Sequence, residues 1–201
     1  MKRSRPPALS TRIAVMRAGT LPQVDTPERV YQWPANEFVA GFIGSPAMNI
    51  VDARLTRTNG EFHVSFGEST LVLDDELIAA RPALLAYEGA TVTLGIRPED
   101  FEDAAFASEA RAGRTIDTVC RLREALGSEV LVHFPVESAS FVARVDPQTA
   151  AREGEPLRLV VDTRRLHFFE PGSGLAIHGQ AGTVGDRWPA SPLSPASASS
   201  T

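Results

Sequence analysis

From Met48 onward the apolar residues fall at every second position, and turn residues interrupt them at short intervals. That alternation is the signature of strands with one buried face. It predicts strands over 50–58, Glu61–Phe66, 69–73 and Thr91–Ile96, with Asn59-Gly60 as a type I′ hairpin turn. Further strands are expected over 115–124, 129–134, 140–145, 157–161 and 166–169, with 101–113 as a loop. Residues 76–88 read as the one helical interruption, broken at Pro82 and stopped at Gly89. Many short strands at this spacing form a small barrel and not βαβ units. The pieces 50–96 and 115–177 read as two halves of one five-stranded oligomer-binding-type (OB) barrel, without an internal repeat.

Ahead of Met48 the pattern differs. Residues 12–16 and 20–24 read as a hairpin around Ala18-Gly19, its second strand weakened by Pro22. Thr26-Pro27-Glu28 is a helix start: a hydroxyl cap, a proline in the first turn and an acid at the positive end of the dipole. That helix must stop before Pro34. A second begins near Ala35, and Phe38, Val39, Phe42 and Ile43 read as its single buried face, ended by Gly44-Ser45-Pro46. The expected organisation is a disordered start over 1–11, a short α/β unit over 12–47, a mainly β barrel over 48–178 and a Ser/Pro/Ala-rich disordered tail over 179–201.

The 201 residues carry a formal charge of −5. The first twelve hold four basic residues and no acid, which leaves −9 on the remainder. An acidic body argues against a nucleic-acid partner, which needs a basic stripe. Cys120 is the single cysteine, so no intrachain disulfide forms, in keeping with a reducing compartment. No apolar run approaches the roughly 20 residues of a membrane helix. The basic start lacks an apolar segment behind it, so it does not read as a secretory signal. A cytoplasmic protein is expected, reaching the inner membrane only through partners.

Catalytic chemistry finds little support. No G-x-x-x-x-G-K-[ST] loop occurs, so no ring of backbone N–H groups and no lysine is placed to hold phosphates. His63, His133, His167 and His178 are scattered, with no ligand spacing that implies zinc. Ser10, Ser45, Ser65 and Ser128 stand in no nucleophile elbow. Cys120 sits in a strand and reads as a small buried thiol. The acids at 74–76 and 99–100 adjoin turns or helix starts, where the dipole favours them. No cofactor, metal or catalytic residue is predicted. Arg97, before Pro98 and beside Glu99 and Asp100, has two readings: a grip on an anionic ligand or partner, or an internal ion pair that fixes a loop.

Six strings in order carry a family resemblance. They are R-I-A-V-M-x-x-G from Arg12, Q-x-x-T-P-x-x-x-Y-x-x-P-A-N over 23–36, and F-V-A-G-F-I-G-S-P-x-M-N over 38–49. L-G-I-R-P-E-D over 94–100, L-G-S-E-V-L-V-H over 126–133 and L-H-F-F-E-P-x-x-G over 166–174 follow. Together they cover about three quarters of the chain, and the whole resembles the C-terminal part of maltose/glycerol-phosphate-type ABC sugar-importer ATPases.

The resemblance implies that 12–47 is the end of a nucleotide-binding domain and 48–178 a transport-associated OB (TOBE) regulatory domain. It also implies pairing, either as a homodimer or with an intact ATPase subunit, and contact with a membrane permease only indirectly. The apolar residues of 38–43 are then expected to be partly exposed, and 129–145 to supply the pairing surface. The chain departs from the family at Asp25, where glycine is usual, and at Thr11, where aspartate is usual. No nucleotide-contacting residue carries over. The expected role is a non-catalytic regulatory and dimerisation module. The rivals are a stand-alone sensor of a small anion or sugar, with Arg97, Glu99, Glu129 and His133 as possible contacts, and an ATPase completed by another chain.

Overall fold

A computed structural model describes residues 12–107 and 113–177. The expected disordered start and tail, and His178, lie outside the described residues. In chain order the strands and helices are β1 (Ile13–Arg17), β2 (Thr20–Asp25), α1 (Pro27–Gln32), α2 (Glu37–Phe42), β3 (Asn49–Thr58), β4 (Glu61–Phe66), β5 (Ser69–Val72), α3 (Asp75–Ala80), β6 (Thr91–Ile96) and β7 (Phe101–Asp103). After them come β8 (Thr115–Val119), β9 (Leu122–Ala125), β10 (Val130–Val136), β11 (Ala139–Val145), β12 (Pro156–Val161) and β13 (His167–Phe169). Short 3-10 helices occupy Pro82–Tyr87, Pro98–Asp100 and Thr163–Arg165.

The first hairpin and two helices form where the sequence places them. Thr26 caps α1 by accepting from Arg29 N, and Asn36 caps α2 by accepting from Val39 N at 2.9 Å. Val15, Val30 and Val39 make their small core. The expected single buried face of α2 is only half right. Val39 and Ala40 are enclosed, while Phe42 is 64 % exposed and stacks on Phe38 at 5.7 Å between centroids.

The remainder is β structure. A five-stranded antiparallel sheet runs β13-β6-β3-β4-β5, and two three-stranded sheets run β11-β10-β9 and β7-β12-β8. Positive φ at both Asn59 and Gly60 makes the β3–β4 turn as its sequence requires. One apolar cluster fills the space between the three sheets, from Val51 and Leu55 to Val132, Leu159 and Phe168. Aromatic contacts cross it: Phe66 of β4 meets Phe141 of β11, Phe141 meets Phe134 of β10, and Phe134 meets Phe101 of β7 edge-on at 5.4 Å. Each such pair contributes about 0.5–1.5 kcal/mol beyond its buried area.

Three sequence expectations need correction. Residues 115–124 are not one strand. The chain turns a corner at Cys120 and Arg121, where Cys120 N donates to Glu155 O and Arg121 N to His133 O. β8 therefore belongs to the sheet of β12 and β9 to that of β10. Residues 101–103, expected as loop, pair with β12. The β architecture is larger than one five-stranded barrel: three sheets share a single core.

Gly95 shows how the front unit sits on the five-stranded sheet. A Cβ there would lie 2.5 Å from Met48 Sδ and 3.1 Å from the Phe169 ring. Its absence lets Met48 lie against β6, and Met48, Ala40 and Phe169 form a second small cluster.

Candidate functional site

Arg97 is the join between the front unit and the β body. Strand β6 delivers it to a buried position, where NH1 donates to Ile43 O at 3.2 Å and NH2 to Tyr31 O. Its guanidinium lies 3.6 Å from the centroid of the Tyr31 ring. Burial pushes its pKa down to about 10, with Asp100 opposing. The guanidinium stays charged at neutral pH and is held by carbonyls and a ring, not by Glu99.

Other contacts reinforce the join. Gln23 Nε2 donates to Trp33 O and its Oε1 accepts from Ala35 N, which fixes the segment between α1 and α2. Glu37 N donates to Gly174 O and Ala176 N to Ala35 O, so the turn after β13 holds the start of α2. Arg144 of β11 donates from NH2 to Ser45 O at 2.6 Å. Asp25, the departure from the family pattern, accepts from Thr26 N and pairs with Arg29 at 2.9 Å, so it supports the head of α1.

The structure gives the four predicted contact residues different partners. Glu129 pairs with Arg144 at 3.3 Å, and His133 Nε2 lies 2.6 Å from Glu124 on the neighbouring strand. Glu99 is half-buried and lines a cleft of about 500 Å³ with Asp100, Glu102, Arg114, Asp146 and Asp162. Neither Arg97 nor His133 faces that cleft.

Sequence reasoning assigned Asp100 no site role. Its side chain is only 2 % exposed, and burial next to Glu99 raises its pKa to about 6, with Arg165 at 3.4 Å opposing. The only signal in the sequence was its place after Pro98-Glu99. The cleft's three arginines each have partners: Arg114 pairs with Asp74 at 2.8 Å, Arg164 meets Asp162 through two bonds, and Arg144 meets Glu129 and Ser45 O. Burial raises the Cys120 pKa, as expected of an inert thiol. Among the described residues no group of His, Cys, Asp and Glu is arranged to hold a metal ion, and no helix is long and apolar enough to cross a membrane.

The fold and its joined front unit define a class: an OB and TOBE β-module. Residues 44–101 match the MalK OB fold domain and residues 94–169 the TOBE domain, the two overlapping over 94–101. The trehalose/maltose import ATP-binding protein MalK of Thermococcus litoralis is 42% identical over 171 residues, 84% of this chain and 45% of that protein. The oligosaccharides import ATP-binding protein MsmX of Bacillus subtilis is 34% identical over 162 residues, covering 81% and 43%. The sn-glycerol-3-phosphate import ATP-binding protein UgpC of Chromohalobacter salexigens is 37% identical, covering 81% and 40%.

The chain belongs to this family of sugar-import ABC ATP-binding proteins, in its OB and TOBE region. It spans a little under half the length of the curated relatives it matches. A solved structure of the cytoplasmic molybdate-binding protein ModG overlaps with a TM-score of 0.44 at 12% identity, covering 61% of this chain and 96% of that one. At that level the likeness bears on neither ligand nor assembly.

Proposed function

We propose that these residues are a non-catalytic regulatory and dimerisation module of an ABC ATP-binding subunit for carbohydrate or glycerol-phosphate import. The observation that carries the reading is the match of two adjoining regulatory-domain families over 44–169, on a chain with no phosphate-binding loop. Residues 12–47 act as the end of a nucleotide-binding domain, and Arg97 fixes them to the barrel. A domain that pairs with its copy, or with an intact subunit, raises the effective concentration of one ATPase half beside the other. Its place is the cytoplasmic face of the membrane, held there by partners.

The pairing surface is the outward side of β9 and β10. The inward residues Val130, Val132, Phe134 and Val136 are taken by the core, and Leu131 is covered as well. The expectation of a free apolar face on 129–145 therefore moves to its neighbour. Leu122 is 44 % exposed and Leu126 55 %, and Leu122 stands opposite His133 in register.

Equilibrium dialysis of the chain against labelled ATP with magnesium tests the non-catalytic half of the reading. No saturable binding is expected, and one-to-one binding would refute it. Replacing Leu122 by Asp tests the pairing half: self-association should weaken while the circular dichroism spectrum and melting temperature hold. An unchanged association constant would place the contact elsewhere.

A further inference from the structure

Among the described residues, every buried charged side chain but one has at least one polar partner. Among the described residues, Asp100 meets Arg165, Asp103 accepts from Thr149 Oγ1 and Ala105 N, and Arg97 donates to two carbonyls. Arg81 is 5 % exposed, yet its guanidinium makes no hydrogen bond or ion pair with any described residue. What faces it is the Trp33 ring, 5.3 Å from the guanidinium carbon to the ring centroid.

A ring contact of this kind contributes about 0.5–2 kcal/mol. The carbonyls ending α3 add a favourable but small field, since Arg81 is that helix's C-cap. Neither fills the guanidinium's five N–H donors. The acids of α3 stand at its opposite end, where Asp74 already holds Arg114 and Thr163. Burial alone pushes the Arg81 pKa down to about 10, with no carboxylate opposing. The group therefore keeps its charge at neutral pH, where an unmatched buried charge is costly. Its side-chain nitrogens are not among the fully enclosed unpaired atoms, so they keep some contact with solvent.

We propose that Arg81, seated on Trp33, binds a small oxyanion, a free phosphate or carboxylate group, at its solvent-reaching guanidinium edge. A planar guanidinium offers two parallel N–H groups to such an ion. The site lies between α3 and the segment after α1, where the front unit meets the β body. It is separate from the cleft beside Glu99, and from the pairing surface on β9 and β10.

Trp33 is the built-in reporter. The chain has one other tryptophan, Trp188, and a Trp188→Phe background leaves Trp33 emitting alone. Titration with inorganic phosphate, against sodium chloride at matched ionic strength, should give a saturable change that chloride does not. The response should be independent of protein concentration, as for a free ion. Arg81→Met should weaken it about tenfold or more, the scale of losing a charge-assisted pair. Arg81→Lys, which keeps the charge and loses the fork, should fall between.

Phosphate should also raise the melting temperature of the parent and leave Arg81→Met unmoved. Should Arg81→Met fail to fold, Arg81→Lys decides. A response that does not saturate, that chloride reproduces, or that survives undiminished in the variants overturns the proposal. A response that scales with protein concentration also overturns it, because the group would then come from another chain.

Discussion

Asn49 replaces a missing strand partner for Val142. Its Oδ1 accepts from Val142 N at 2.7 Å, and its Nδ2 donates to Val142 O at 2.9 Å and to Ile96 O at 3.0 Å. One side-chain amide thus stitches β11 to the five-stranded sheet across 93 positions of sequence. Asn49→Ala would leave buried backbone groups unpaired, each costing about 1–3 kcal/mol. Urea unfolding should show a loss of about 2–4 kcal/mol, with the slope unchanged. A change under about 0.5 kcal/mol would mean that water replaces the amide.

Asp100 gives the stability a pH dependence of unusual sign. Its folded pKa, raised to about 6 by burial, lies above the ordinary aspartate value of 3.8 that the unfolded chain keeps. Between these values the folded chain holds a proton that the unfolded chain has lost. The contribution is full below about pH 4, falls as pH rises and is gone above about pH 6. Its size is about 2–3 kcal/mol for a carboxyl this enclosed. Asp100→Asn should remove that slope and stabilise the protein at pH 7. Guanidinium melts at pH 4, 5, 6 and 7 check it, and parallel pH profiles for parent and variant would contradict it.

Gly95 is a packing site, not a turn. Gly95→Ala drives a methyl into Met48 Sδ and the Phe169 ring, and should cost about 1–3 kcal/mol. Met48→Ala in the same chain should return part of that loss, since the two sites touch. Strictly additive effects in a double-mutant cycle would show that the clash is relieved elsewhere.

Arg97→Met should loosen the front unit from the barrel without unfolding either. The Ile43 and Tyr31 carbonyls lose their donor and Tyr31 loses its cation. Hydrogen exchange should accelerate across 27–43 by at least about tenfold, while β3 and β6 keep their protection. Uniform acceleration would mean that the join is part of the global core.

Much of this fold is legible in the residues themselves. The hairpin at Asn59-Gly60, the cap at Thr26, and the spans of β4 and β6 follow from local chemistry. The break at Cys120 does not, because 115–124 alternates through it and the corner is set by distant partners, Glu155 and His133. β7 is too short to show a period of two, and only its pairing with β12 makes it a strand. The Arg97 readings were both carboxylate or ligand readings, whereas its partners are carbonyls, which no side-chain pattern reveals. Arg81 carries no local signal at all. Its isolation exists only once Trp33 is folded over it.

The pairing of this module with a second copy is the centre of the account, and sedimentation equilibrium reads it most directly. The full chain, run from sub-micromolar to high micromolar concentration, should fit a reversible monomer–dimer equilibrium, and Leu122→Asp should shift it toward monomer. A single species at the monomer mass of 21.6 kDa throughout that range would contradict the dimerisation role.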